Sequence, residues 1–386
     1  MSSEIKIYLI AGEPSGDALG ARLMRAMKKK TDGKVSFFGV GGETMEAEGL
    51  KSIFDISDLA VMGLAEVIPS IPKVLKRIKQ TVEDIVRIHP DIVITIDSWS
   101  FGSRVQKAIR RKNLGIPQMH YVAPQVWAWK KKRARTMHKY VDYLLTLLPQ
   151  EPKYFTPYGL KTTFVGHPVI ESPVANGNKE TFRKEHNIPD NKRIVCILPG
   201  SRHNEVARLL PIFIEAGKLL SSCYDDLFFV IPTVKTVADR VNKMTAGCGL
   251  PLLIVEGAED RHNAMCAASA AIAASGTVAL ELAIADVPHI IGYKVSKTTA
   301  FFAKRLLHIQ FVNLSNILLG REIVPELLQD ACTAENIAEH IKHFLNQDEL
   351  YRHQMEGFKK VRKVLGVGEQ TPSEKACDII LEIIKK

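Results

Sequence analysis

From residue 5 to residue 165, short runs rich in Ile, Val and Leu alternate with longer amphipathic stretches, and after a loose segment the alternation starts again. Neighbouring parallel strands must be joined by a crossover, usually a helix, so this rhythm predicts parallel sheets made of β–α units. Strands are predicted over 5–11, 35–40, 91–97, 117–122, 143–148 and 162–165, with helices over 18–30, 70–88 and 102–112 between them. Residues 168–178, which include Pro168, Pro173, Asn176, Gly177 and Asn178, read as a hinge. Beyond it come strands over 193–198, 227–231, 252–255, 270–274 and 288–293, a long helix over 205–223, and a helical stretch from about residue 333. The expected fold is α/β: two doubly wound domains, 1–170 and 171–350, facing each other across a cleft, with helices of 351–386 returning to the first. A chain of 386 residues exceeds one core of ordinary size and suits this division.

Forty-six per cent of the residues are apolar and 24% charged, the balance of a globular protein with a large core. No apolar run approaches the roughly 20 residues that cross a bilayer. The opening residues lead straight into a strand without a signal peptide, so a cytoplasmic location is expected. Cys196, Cys223, Cys248, Cys266, Cys332 and Cys377 are scattered without paired spacing and are expected to be reduced thiols. Lys and Arg number 52 against 42 Asp and Glu, a net charge of +10 that favours an anionic partner. The densest basic block, Lys130, Lys131, Lys132, Arg133 and Arg135, follows Trp127 and Trp129, but no nucleic-acid module accompanies it, and nucleic acid is not expected.

Three turns at strand ends carry chemistry. Residues 270–281 run from a buried strand through Ser275, Gly276 and Thr277 into a helix. A turn of such small side chains lets a diphosphate reach bare N–H groups at a helix start. Glu281, one helical turn past Thr277, is placed to accept from the hydroxyls of a ribose; the other reading is an ordinary connection with a surface glutamate. Leu198-Pro199-Gly200-Ser201-Arg202 ends another strand, where Gly200 and Ser201 add backbone donors and Arg202 either forks a phosphate or pairs on the surface. The first strand runs into Gly12-Glu13-Pro14-Ser15-Gly16-Asp17, which is neither a dinucleotide fingerprint nor a Walker loop.

Asp97 closes the apolar strand Ile92-Val93-Ile94-Thr95-Ile96. It is either a base pointing into the cleft or the N-cap of the following helix. His120 and His167, also at strand ends, are acid/base groups, oxyanion donors or packed structural histidines. No Cys, His or carboxylate cluster has metal-ligand spacing, and no metal or cofactor is expected. Leu64, Val67, Ile68, Ile71, Val74, Leu75 and Ile78 fall at helical spacing with Lys73, Lys76, Arg77 and Lys79 among them, as either a core face or a membrane-surface face. Pro69 and Pro72 predict a helix start near Ser70.

Gly12-Glu13-Pro14-Ser15-Gly16-Asp17, Leu59-Ala60-Val61-Met62-Gly63, His120-Tyr121-Val122-Ala123-Pro124-Gln125-Val126-Trp127-Ala128-Trp129, Phe164-Val165-Gly166-His167-Pro168, Leu198-Pro199-Gly200-Ser201-Arg202, Ala274-Ser275-Gly276-Thr277 and Asn316-Ile317-Leu318-Leu319-Gly320-Arg321-Glu322 follow one another over nearly the whole chain. With them the sequence closely resembles the lipid-A-disaccharide synthase family. The resemblance implies a GT-B fold of two Rossmann-like domains and a glycosyltransferase of lipopolysaccharide biosynthesis in a Gram-negative bacterium. That activity joins UDP-2,3-diacylglucosamine to 2,3-diacylglucosamine 1-phosphate (lipid X), giving the lipid A disaccharide 1-phosphate and UDP.

Residue roles follow from the same resemblance. Asp97 becomes the base that deprotonates the acceptor's primary hydroxyl for a single inverting displacement. Gly200, Ser201, Arg202, Ser275, Gly276 and Thr277 hold the UDP leaving group, with Glu281 on the ribose and no metal required. Glu13, Ser15, Gly16, His120 and Asn316 face the acceptor or the reacting centre. Because both substrates carry acyl chains, Val67, Ile68, Ile71, Val74 and Leu75 are expected to contact the cytoplasmic face of the inner membrane. A homodimer is left open, since nothing in the sequence fixes the oligomeric state.

One segment departs from the family. Where its members continue after the strand-end aspartate with a Pro-Asp-Phe-Asn-like run, this chain has Ser98-Trp99-Ser100-Phe101-Gly102, lacking a carboxylate at Ser100 and an amide at Gly102. Another UDP-N-acetylglucosamine transferase or an epimerase would share the nucleotide-binding half; a non-catalytic nucleotide-sugar-binding protein is the other rival, and the altered segment is the only sequence feature that lends it weight.

Overall fold

A computed structural model describes residues 4–59, 64–126, 132–295 and 310–385, with the backbone alone at 64–70, 175 and 176. Trp127, Trp129, Lys130 and Lys131 of the basic block, and residues 60–63 of one family motif, lie outside the described residues. The chain forms two compact units: Met1–Pro168 with Gly368–Lys386, and Val169–Val367.

The first unit comprises β1 (Ile5–Ala11), α1 (Pro14–Lys30), β2 (Val35–Val40), α2 (Glu43–Ala47), α3 (Leu64–Ile88), β3 (Ile92–Ile96), α4 (Trp99–Arg111), β4 (Gln118–Tyr121), α5 (Lys132–Met137), β5 (Tyr143–Thr146) and β6 (Lys161–Phe164). Its six strands are parallel in the order β2-β1-β3-β4-β5-β6. Strand side chains alternate between faces, so Ile7, Leu9 and Ala11 enter one core and Tyr8 and Ile10 the other.

The second unit comprises α6 (Lys179–Glu185), β7 (Arg193–Leu198), α7 (His203–Ser221), β8 (Leu227–Thr233), α8 (Lys235–Thr245), β9 (Leu252–Glu256), α9 (Ala258–Ala267), β10 (Ala268–Ala273), α10 (Val278–Ile284), β11 (His289–Tyr293), α11 (Leu314–Leu319), β12 (Glu326–Leu328), α12 (Ala334–Leu345) and α13 (Glu349–Leu365). Its strands are also parallel, in the order β12-β11-β10-β7-β8-β9. Cys196 and Leu198 of β7 point into one core, Val195 and Ile197 into the opposite one.

The last helix, α14 (Pro372–Ile384), belongs to the first unit. A capping box starts it: Thr371 Oγ1 accepts from the Glu374 N–H, and the Glu374 carboxylate accepts from the Thr371 N–H. Ala376, Cys377 and Ile380 are buried in the core that includes Leu19 and Leu23 of α1, and Lys30 pairs with Asp378.

Helix α3 is already formed at Leu64, where the described residues resume, well before the start predicted near Ser70. Pro69 and Pro72 lie inside it, each giving up its hydrogen bond, to the carbonyls of Ala65 and Ile68, and crowding the preceding turn. The half-buried Val74 and Ile78, with the buried Val82 and Ile85, hold the helix on its core. Strand β12 went unpredicted because three residues show too little periodicity to read.

Candidate active site at two switch points

Strand order reverses once in each sheet, between β1 and β3 and between β7 and β10. There the connections leave toward opposite faces and open a crevice at the carboxyl ends of the strands, where α/β folds bind ligands.

In the second unit Leu198 pairs with Ala273, so the turns after β7 and β10 leave the sheet side by side. Between them lies a cavity of about 440 Å³ lined by Gly200, Ser201, Arg202, Ser275, Gly276, Thr277 and Glu281, together with Thr233 and Arg261. Gly200 has φ +107°, and a Cβ there would stand 2.8 Å from Glu205 Cβ, so a larger residue would be strained and would push Glu205 aside. A Cβ at Gly276 would meet nothing within 4 Å; the bare backbone borders open space. Arg202 is well exposed, and its Nη1 donates to Glu205 Oε1 at 2.9 Å. The surface pairing has therefore formed, on the cavity wall, and such a pair contributes about 1 kcal/mol or less, little resistance to an incoming anion. Glu281 is half-buried, and its Oε1 accepts from Ser172 Oγ at 3.3 Å.

In the first unit Ala11 pairs with Ile96, which sets the Gly12–Gly16 loop beside Asp97. Ser15 Oγ donates to Asp97 Oδ2 at 2.8 Å. Two glycines allow the approach: a Cβ on Gly12 would fall 2.7 Å from Ser98 Oγ, and one on Gly16 would fall 3.0 Å from the Ile96 carbonyl oxygen. Asp97 and Ser98 have φ of +54° and +30°, two consecutive left-handed residues without a glycine. Each costs of order 1 kcal/mol or more, a strain typical of functional loops. Ser98, not Asp97, occupies the N-cap position of α4, and neither the cap reading nor a side-chain cap bond holds there. Glu13 is exposed at the N-cap position of α1.

Two residues of the departing segment, Gly102 and Trp99, make close packing contacts. Gly102 brings α4 close to β3, where a Cβ would stand 3.0 Å from Thr95 Cβ. Trp99 meets the His120 ring edge-on at 4.8 Å between centroids and stacks on Tyr140 at 5.9 Å.

His120 is fully buried, its Nδ1 2.6 Å from Thr95 Oγ1, and burial pushes its pKa down to about 3. Burial, with a smaller effect of Arg22, pushes His167 down to about 4. Both rings are buried, as the packed structural reading has it, and His120, with no exposed surface, is corrected as an acceptor-facing group. Asn316 is corrected likewise. It is fully buried, donates to the Val324 carbonyl at 2.8 Å and Glu326 Oε1 at 2.9 Å, and accepts from the N–H of Ile323 at 2.8 Å and of Val324 at 3.0 Å. Nothing of its amide is left for a substrate.

Asp17 escaped the sequence reading. Buried, it accepts from the N–H groups of Gly42 (2.7 Å), Thr44 (2.9 Å) and Met45 (3.1 Å), fixing the start of α2 beside the Ser15 loop. Of the predicted membrane stripe, the side chains of Val67 and Ile68 lie outside the described residues, Val74 is half-buried, and Ile71 and Leu75 are 46% and 57% exposed. Among the described residues, no helix is long and apolar enough to cross a membrane, and no group of three or more His, Cys, Asp or Glu is arranged to hold a metal ion.

Two wound parallel sheets, each with its loops gathered at a switch point, define the GT-B class of fold. Similar folds include a glycosyltransferase from Rickettsia africae ESF-5, with a TM-score of 0.62 and 15% identity over 100% of both chains. The UDP-GlcNAc 2-epimerase from Neisseria meningitidis bound to UDP-GlcNAc has a TM-score of 0.62 and 14% identity over 99% of this chain and 100% of that one. Residues 7–380 match the family described as lipid-A-disaccharide synthetase, and the chain belongs to that family, whose members are glycosyltransferases. It is 47% identical to the lipid-A-disaccharide synthase of Paramagnetospirillum magneticum over 98% of both chains. The corresponding enzyme of Rhodospirillum centenum is 45% identical over 98% of this chain and 95% of its own.

Proposed function

We propose that the chain transfers the diacylglucosamine of UDP-2,3-diacylglucosamine to lipid X, with its two switch points dividing the work. The observation that carries this reading is the cavity walled by the paired turns of the second unit. Ser275, Gly276 and Thr277 offer backbone donors and hydroxyls to the diphosphate, Arg202 exchanges its Glu205 partner for a phosphate oxygen, and Glu281 accepts from the ribose. These groups stabilise the charge that develops on departing UDP.

Asp97 takes the proton from the acceptor's primary hydroxyl as that oxygen attacks the anomeric carbon and the bond to UDP breaks, inverting the centre. Ser15 holds one carboxylate oxygen and so aims the other. Glu13 and Gly16 border the same crevice and shape the acceptor's place. The exposed Ile71 and Leu75, with Lys73, Lys76 and Lys79 around them, rest on the cytoplasmic surface of an anionic membrane, where acylated substrates reside.

The test is UDP release from UDP-2,3-diacylglucosamine in detergent micelles with and without lipid X. Release that depends on the acceptor and collapses in Asp97→Asn supports the reading. Persistent activity in that variant removes Asp97 as base, and no release by the parent removes the transferase assignment.

A further inference from the structure

The edge strand β12 contributes a half-buried acid that the chemistry above does not use. Glu326 Oε2 accepts from the Val312 N–H at 2.9 Å, and Oε1 accepts from the Asn313 N–H and from Asn316 Nδ2, both at 2.9 Å. All three donors lie on residues 312–316, so the carboxylate ties this segment to the sheet. The Val312 carbonyl in turn accepts from Ser275 Oγ, a long bond of 3.4 Å, in the turn that lines the cavity. The register places these groups at one level: Leu198 pairs with Ala273, Ala273 with Ile291, and Ile291 with Glu326.

We infer that Glu326 is a positioning residue for nucleotide binding, acting through the 312–313 backbone on Ser275. The inference rests on the proposal that the cavity takes UDP. A carboxylate suits the place because all its partners are donors. A glutamine of the same shape must turn its NH₂ toward either Val312 or the Asn313 and Asn316 pair, leaving donor against donor. The segment then shifts, the Ser275 hydroxyl loses its acceptor, and the turn no longer presents its donors in one fixed arrangement.

The experiment is calorimetric titration with UDP alone, alongside donor and acceptor kinetics and thermal melting, for the parent, Glu326→Gln and Leu327→Ala. Leu327, its neighbour on β12, packs into the core, so its truncation loosens the strand without touching the carboxylate. The expected result for Glu326→Gln is a UDP Kd raised about tenfold, the equivalent of one good hydrogen bond. The donor KM rises in parallel, kcat at saturating donor stays within about threefold, and acceptor KM is unchanged. Leu327→Ala lowers Tm and keeps the parental Kd. Should Glu326→Gln not fold, Glu326→Asp, whose carboxylate is drawn back by one methylene, is expected to weaken UDP several-fold. A folded Glu326 variant with parental Kd, or one that weakens UDP no more than Leu327→Ala, overturns the inference. A parent that binds no UDP overturns the cavity reading and the inference together, and that failure shows in the parent alone.

Discussion

The hydroxyl of Ser15 donates to Asp97 across the first switch point, tying the loop after β1 to the loop after β3 through a single 2.8 Å bond. Removing it leaves the carboxylate in place but free to turn. Ser15→Ala is therefore expected to lower kcat about tenfold, the value of one charge-assisted bond, against a loss of about a hundredfold or more in Asp97→Asn. Acceptor-dependent UDP release measures both; equal losses would show that Ser15 does more than aim the base.

Gly200 answers to two constraints at once, a positive φ and the Glu205 side chain where a Cβ would lie. Gly200→Ala is expected to cost about 1–3 kcal/mol of stability, because backbone strain and overpacking combine. It also pushes Glu205 and its partner Arg202 off the cavity wall. Denaturant unfolding and a UDP titration check the two effects, and unchanged UDP affinity would remove this turn from the site.

Among the described residues, His120, His167 and His289 are buried histidines that limit stability in acid. Burial holds His120 at about 3 and His167 and His289 at about 4, against 6.5 for an ordinary histidine. Between pH 6.5 and 4 the unfolded chain binds protons that the native rings refuse, so stability is present above pH 6.5 and falls as pH drops through this window. Each histidine contributes a slope of up to about 1.4 kcal/mol per pH unit. Urea midpoints at pH 7.5, 6 and 5 are expected to decline steadily; a flat profile would mean the rings gain partners on protonation.

Ile71 and Leu75 are separated by one helical turn and face solvent beside lysines. Replacing either with Asp is expected to leave Tm within a degree or two, since little burial is lost. Cosedimentation with anionic phospholipid vesicles is expected to fall several-fold, through lost apolar insertion and added like-charge repulsion. Vesicle binding equal to the parent's would move the membrane surface elsewhere.

What the sequence made legible is what is local in the chain. The turn at Ser275–Thr277 and the loop at Gly12–Gly16 announce themselves because a few adjacent small residues decide both conformation and chemistry. Asp97 is legible for a similar reason, as a lone acid after five apolar residues. Asn316 misled because an amide inside a motif gives no sign that residues 323–326 will consume its hydrogen bonds. Asp17 and Glu326 stayed hidden for the same reason: their partners lie many residues away and meet them only after the strands align. His120 was ambiguous until its neighbour Thr95 and the Trp99 ring were seen to enclose it.

The assignment of Pro372–Ile384 to the first unit has a consequence for synthesis. Ala376, Cys377 and Ile380 fill a core whose other walls are translated early, yet the ribosome delivers them only after the whole of Val169–Val367 has been made. Until then the nascent first unit carries an open apolar groove along α1. Its maturation thus waits on the synthesis of the second unit, and a truncation before Pro372 would harm the half of the enzyme made first.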